Sequence, residues 1–90
     1  MYKLLDMLKV DLGIKSTTAY DERLEQEIES AKKSIAEEGA TLDLEDIQDC
    51  QLVVMYAAWT WRERDSGKGM PRMLRYTLNK RVFREKIRNG

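Results

Sequence analysis

The sequence contains no histidine, and only one cysteine, one proline and one phenylalanine. Without histidine the chain lacks the side chain that most often serves as a general base and most often ligates a transition metal. The lone Cys50 cannot close an internal disulfide and gives no sign of an oxidising compartment. As a nucleophile it would want a base, and no histidine exists to serve; a buried, inert thiol is the expected state. Long apolar runs are missing too. The longest uncharged stretch, Cys50–Trp61, has twelve residues, against about 20 for a membrane span. Residues 1–12 carry Lys3, Asp6, Lys9 and Asp11 among their apolar residues, which does not fit a secretory signal. These absences predict a soluble protein of the cell interior that contacts no membrane, holds no cofactor or metal, and is not an enzyme.

What the chain does have is charge, divided end to end. Residues 1–61 hold six basic and thirteen acidic side chains, a formal net of −7, and residues 62–90 hold ten basic and three acidic, a net of +7. The formal total of zero hides a strong dipole. Such a chain can dock on its own copies or offer its basic end to an anion. Ninety residues make one domain, 1–90. A domain this small buries only about 60–65% of its unfolded surface, so a partner can supply part of the stability.

Apolar spacing predicts four helices. Leu4, Leu5, Leu8 and Leu12 share one face of a first helix over about residues 2–12, with Gly13 as a left-handed cap and Ile14 folding back to the core. Thr18 and Asp21 resemble a capping box for a second helix that runs to about Glu38, with Leu24, Ile28, Ala31 and Ile35 as its apolar stripe and Gly39 as its stop. Asp43 can cap a third helix reaching about Arg64, about 21 residues and 32 Å. Its Leu52–Trp61 stretch is apolar nearly all round, which suits the long central post of a bundle. Asp65–Met70 breaks the chain, and Pro71 suits the first turn of a fourth helix to about Arg88. The expected fold is all-α, a compact bundle of about four helices.

The fourth helix carries two apolar stripes at 100° per residue: Leu74, Leu78 and Val82 on one side, and Met73, Tyr76, Phe83 and Ile87 on another. Basic stripes run between them, Arg81, Arg84 and Arg88 in one, Arg72, Arg75 and Lys86 in the other. A helix that only closes its own core needs one apolar stripe. The second predicts a partner surface, unless it packs on another helix of the same chain.

Other features point to structure before chemistry. Carboxylate pairs such as Glu25 and Glu29 lie on a highly charged helix face, where a solvated surface is the expected reading. Gly67-Lys68-Gly69 precedes a helix but lacks phosphate-loop spacing, so it reads as an interhelical turn. Trp59 and Trp61 sit about 200° apart and cannot share one narrow face; packing at the rim of a core or interface is favoured over stacking on bases. The basic last third could meet phosphates. The acidic first two helices would oppose a nucleic acid, and bases spread around the last helix argue against sequence-specific reading.

Several segments, taken in order, resemble one family. They are Asp11-Leu12-Gly13-Ile14 after a leucine-rich helix, Tyr20-Asp21-Glu22-Arg23-Leu24, Ala31-Lys32 and Gly39, then Gln51–Trp59, Met70-Pro71-Arg72-Met73-Leu74-Arg75, and Leu78-Asn79 with Arg81. Across nearly its whole length the chain resembles the head–tail connector, or adaptor, proteins of long-tailed bacteriophages and prophages, also labelled DNA-packaging proteins. The resemblance implies a helical protein that assembles as a ring beneath the portal once the genome is packaged. It implies a platform for a head-completion or tail protein, non-specific contact with packaged DNA, and a place at the head–tail junction of the virion after synthesis in the bacterial cytoplasm. Members use the C-terminal helical region against the portal and the helical body against neighbouring subunits. Carried onto this chain, the portal face would be Arg72, Arg75, Tyr76, Arg81, Phe83, Arg84, Ile87 and Arg88. The runner-up function is a small helical nucleic-acid-binding protein, a regulator or a packaging-associated binder.

The charge division suggests an inter-subunit contact in which Glu22, Glu25 and Glu29 face the basic stripe of an adjacent subunit. Exposed charges are screened over about 10 Å at 0.1 M salt. The assembled ring should therefore loosen as salt is added, measured by sedimentation, and indifference to ionic strength would count against this pairing.

Overall fold

The computed structural model describes residues 2–63 and 66–89, at residue 89 the backbone alone. The described residues form four α-helices and no strand: α1 (Leu4–Leu12), α2 (Asp21–Glu38), α3 (Ile47–Glu63) and α4 (Arg72–Asn89). The all-α expectation is met. α1 starts two residues later than its spacing suggested and ends as expected. Gly13 takes φ 74°, its N–H donates to the Val10 carbonyl at 3.1 Å, and the Ile14 N–H donates to the Lys9 carbonyl at 3.0 Å. This paired closure needs a left-handed residue, which glycine adopts without a Cβ penalty. It turns Ile14 back to pack on the core beside Leu4, Leu5 and Leu12, with Leu8 fully buried.

The Thr18 capping box does not form. α2 begins at Asp21, its N-cap Tyr20 makes no side-chain cap bond, and Thr18 contributes only its backbone carbonyl to the Asp21 N–H. Asp21 instead pairs with Lys9 of α1 at 2.8 Å, so the residue expected at the reciprocal end of a cap ties two helices together. The stripe Leu24, Ile28, Ala31 and Ile35 is buried as its spacing required. Gly39 stops the helix at φ 116°, with Val82 of α4 packed 3.5 Å from where a Cβ would stand.

α3 corrects the length given to the central helix. It has 17 residues, one fewer than α2 and α4, and begins at Ile47 instead of near Asp43. Asp46 is the cap, accepting the Gln48 N–H at 2.9 Å, while Asp43 shapes the turn before it by accepting the Glu45 N–H at 3.0 Å. That turn is held open because the Asp43 N–H donates to the Asp49 carboxylate at 2.8 Å. The expected end at Arg64 lies outside the described residues. α3 packs against α1, α2 and α4, and no residue from Leu52 to Trp61 is exposed.

α4 is joined to this body by Leu74 and Leu78, both buried, by the partly buried Val82, and by a buried ion cluster. The Arg81 guanidinium donates to both Asp49 oxygens, from Nε at 2.8 Å and Nη2 at 3.3 Å, to Glu85 at 2.9 Å, and to the Thr41 carbonyl at 2.6 Å. Glu85 in turn accepts the Thr41 N–H at 3.0 Å. Two side chains one turn apart on α4 thus satisfy both backbone polar groups of Thr41, and the same arginine reaches the first turn of α3. Asp49, Arg81 and Glu85 are 1%, 6% and 7% exposed, so removing one member strands a charge away from water.

Breaking a buried ion pair from one side costs about 3–5 kcal/mol. Arg81→Met should lose stability of that order in urea denaturation, and adding Asp49→Asn should recover part of it, as members of one network are not additive. A loss below about 1 kcal/mol for Arg81→Met would show that the cluster does not hold α4.

Candidate docking face on α4

Helical period decides which side chains leave the core. With Leu74, Leu78 and Val82 turned inward, Met73, Tyr76, Phe83 and Ile87 must point to the other side, and they are 66%, 60%, 64% and 66% exposed. The alternative reading, in which this stripe packs on another helix of the same chain, is overturned. Large apolar side chains gathered on one exposed face are informative in a way that a single exposed leucine is not.

The charge around this stripe has one sign. Arg72, Arg75, Lys80, Arg84, Lys86 and Arg88 are exposed, whereas the only acid described on α4, Glu85, is turned inward. Arg75 reaches Glu38 at 3.5 Å, and Arg84 reaches Gln48 at 3.5 Å and Asp49 at 3.7 Å. These contacts are long and the arginines themselves are exposed, so they hold little energy and leave these cations able to meet a partner. Arg81 is a correction to the expected portal face. It lies in the ion cluster beneath α4 and does not reach the surface, because hydrogen bonds to Asp49, Glu85 and the Thr41 carbonyl offset the loss of its hydration. The other seven residues expected on this face are all exposed, with Tyr76, Phe83 and Ile87 together and Arg75 and Arg88 on opposite flanks.

Lys80, one of the basic residues of the last third that could meet phosphates, was not placed on the portal face by its sequence. The residues Met73, Tyr76, Lys80, Phe83 and Ile87 alternate three- and four-residue steps, the spacing of a helix-pairing seam. Attention to apolar residues alone hid the lysine at its centre. The acidic candidates Glu22, Glu25 and Glu29 are exposed on α2, a separate helix, where Glu29 pairs with Lys32 at 2.7 Å.

Cys50 is fully buried and its thiol donates to the Leu44 carbonyl at 3.2 Å. Burial, and then the nearby Asp49, Asp46, Glu45 and Asp43 carboxylates, push its pKa up, which opposes the thiolate a nucleophile requires. Among the described residues no three ligand-type side chains converge as a metal site would need. Trp59 and Trp61 both lie half-buried at the rim of the core, Trp59 edge-on to Tyr56 at 5.4 Å and Trp61 edge-on to Tyr20 at 5.7 Å with Arg23 over its ring. Gly67, at φ 72°, belongs to the turn before α4, where the Lys68 N–H donates to Ser66 Oγ. No helix among the described residues is long and apolar enough to cross a membrane.

Exposed substitutions remote from buried features usually change stability by no more than about 0.5 kcal/mol, whereas truncating a buried leucine costs about 2–5 kcal/mol. Phe83→Asp and Ile87→Asp should therefore melt like the parent protein while Leu78→Ala unfolds in much less urea. Equal losses for Phe83→Asp and Leu78→Ala would mean that the outer stripe is closed in solution.

No family model, curated protein or solved structure matches the chain.

Proposed function

We propose that the chain is a structural adaptor of the phage head–tail junction. It assembles as a ring under the portal after DNA packaging, and the ring receives the head-completion or tail protein. The observation that carries this reading is the outer face of α4, apolar and basic together, on a domain with no reactive cluster among its described residues. A face of that kind offers a partner apolar contact and charge together. It suits a protein whose work is to be held between others, where a few aromatic and arginine anchors supply most of the binding energy. The division of charge supports the same reading. A surface with separated signs can form a heterologous contact, which closes into a ring when the rotation between subunits permits. In this proposal Glu22, Glu25 and Glu29 serve neighbouring subunits and the α4 face serves the portal, with packaged DNA touched only non-specifically.

The test is to mix the purified chain with portal rings and follow sedimentation. The chain should join the portal fraction, and Phe83→Asp should abolish this without unfolding the domain. A chain that never joins the portal would contradict the proposal.

One observation favours a second reading, a small nucleic-acid-binding protein: the six exposed cations of α4 have no exposed acid beside them on that helix. Duplex affinity would then fall steeply and log-linearly with salt. The apolar stripe argues the other way, because phosphates give Phe83 and Ile87 nothing to pack against.

A further inference from the structure

The docking face continues into a channel. α1 and α4 both pack on α3, but they pack barely at all on each other. The gap over α3 holds three adjoining cavities of about 290, 350 and 350 Å³. Met55 of α3 lines all three, Gln51 links the first to the third, and Asp11 links the second to the third. One wall is α1, with Met7 and the exposed Val10; the other is α4, with Met73 and Lys80, two members of the seam. Methionines from three helices therefore border one groove, and their flexible thioethers suit a surface that must adapt to an inserted side chain.

We infer that this channel, which has Met73 and Lys80 of the α4 seam in its wall, and the rest of the seam beside it receive one amphipathic helix with acidic flanks from a different protein. The inference rests on the docking reading above and names the chemistry of the partner. Three features select a helix. The seam steps by three and four residues over a helix of 18 residues, about 27 Å. The groove runs beside it, lined by Met55, Leu52 and Leu74 together with polar side chains such as Gln51 and Thr77, and an amphipathic helix laid in a groove is a recurrent mode of recognition. Lys80 sits where a seam residue should be apolar, and a polar residue there fixes the register of the pairing.

Charge selects the occupant. Arg72, Arg84 and Lys86 flank the seam and Lys80 lies within it, so two α4 helices face to face would set like charges together. α2 of a second copy is acidic, yet Leu24, Ile28, Ala31 and Ile35 are committed to its own core and it has no apolar stripe to give. A second copy therefore does not fit the seam. A foreign helix with an apolar stripe and Asp or Glu beside it fits both the groove and the cations.

The test uses the full chain with methyl-labelled methionines and two stapled helical peptides. Both carry leucines at alternating three- and four-residue spacing; one has glutamates flanking the leucines, the other lysines. The acidic peptide should bind at least about tenfold more tightly and shift the Met55 and Met73 methyl signals. Phe83→Asp should weaken it by about tenfold or more, and Lys80→Glu with Arg84→Glu should transfer the preference to the lysine peptide. Equal affinity for both peptides, no binding, or shifts that spare Met55 would overturn the inference. Self-association lost on Phe83→Asp, or duplex DNA moving the same methyls with similar affinity, would overturn it as well. Portal binding without peptide binding would remove the groove partner and leave the adaptor reading standing; peptide binding without portal binding would do the reverse.

Discussion

The buried contact between Arg81, Asp49, Glu85 and the Thr41 peptide sets the arrangement of everything else. An arginine in a small core is costly to dehydrate, and it is stable there only when every donor finds an acceptor at short range. Here Nε and Nη2 engage Asp49, Nη1 engages Glu85, and Nη2 also meets the Thr41 carbonyl. The contact fixes the rotation of α4 about its own axis. Once Arg81 points inward with Leu74 and Leu78, the period of the helix sends Met73, Tyr76, Phe83 and Ile87 outward. The exposed apolar face of α4 is thus a consequence of where one guanidinium is satisfied.

With that arrangement, the proposed partner could bind α4 without loosening the domain. α1, α2 and α3 close a core around Leu8, Leu24, Ile35 and Val53, and α4 is attached to it along one side. The molecule is flat, 44 × 33 × 18 Å, so the outer side of α4 and the channel next to α1 remain open to a second protein. Binding there would bury apolar side chains that the domain leaves in water. The charges around them would guide approach and orientation more than they would add affinity.

Much of the fold was legible in the residues. The leucines of α1, the stripe of α2 and the glycine stops at Gly13 and Gly39 follow from local spacing and backbone freedom. The two stripes of α4 were legible for the same reason, although periodicity could not tell which faces solvent. Three features escaped. α3 starts at Ile47 because Asp46, not Asp43, caps it, while the Asp43 N–H is taken by Asp49. Thr18 lost its capping role because Asp21 is drawn to Lys9. Arg81 was read with the other basic residues of its helix, since nothing in a run of arginines marks the one that meets a buried Asp49 32 residues away. The channel was equally hidden, because it is made by two helices that leave a gap between them.

The account turns on a face that is open when the protein is alone and covered when it is assembled. Hydroxyl-radical footprinting reads this directly at Met73, Tyr76 and Phe83, in the free chain and in the chain bound to portal rings. The account predicts rapid oxidation of all three residues in the free protein and strong protection in the complex. Protection already present in the free chain, or equal oxidation in both states, would contradict it.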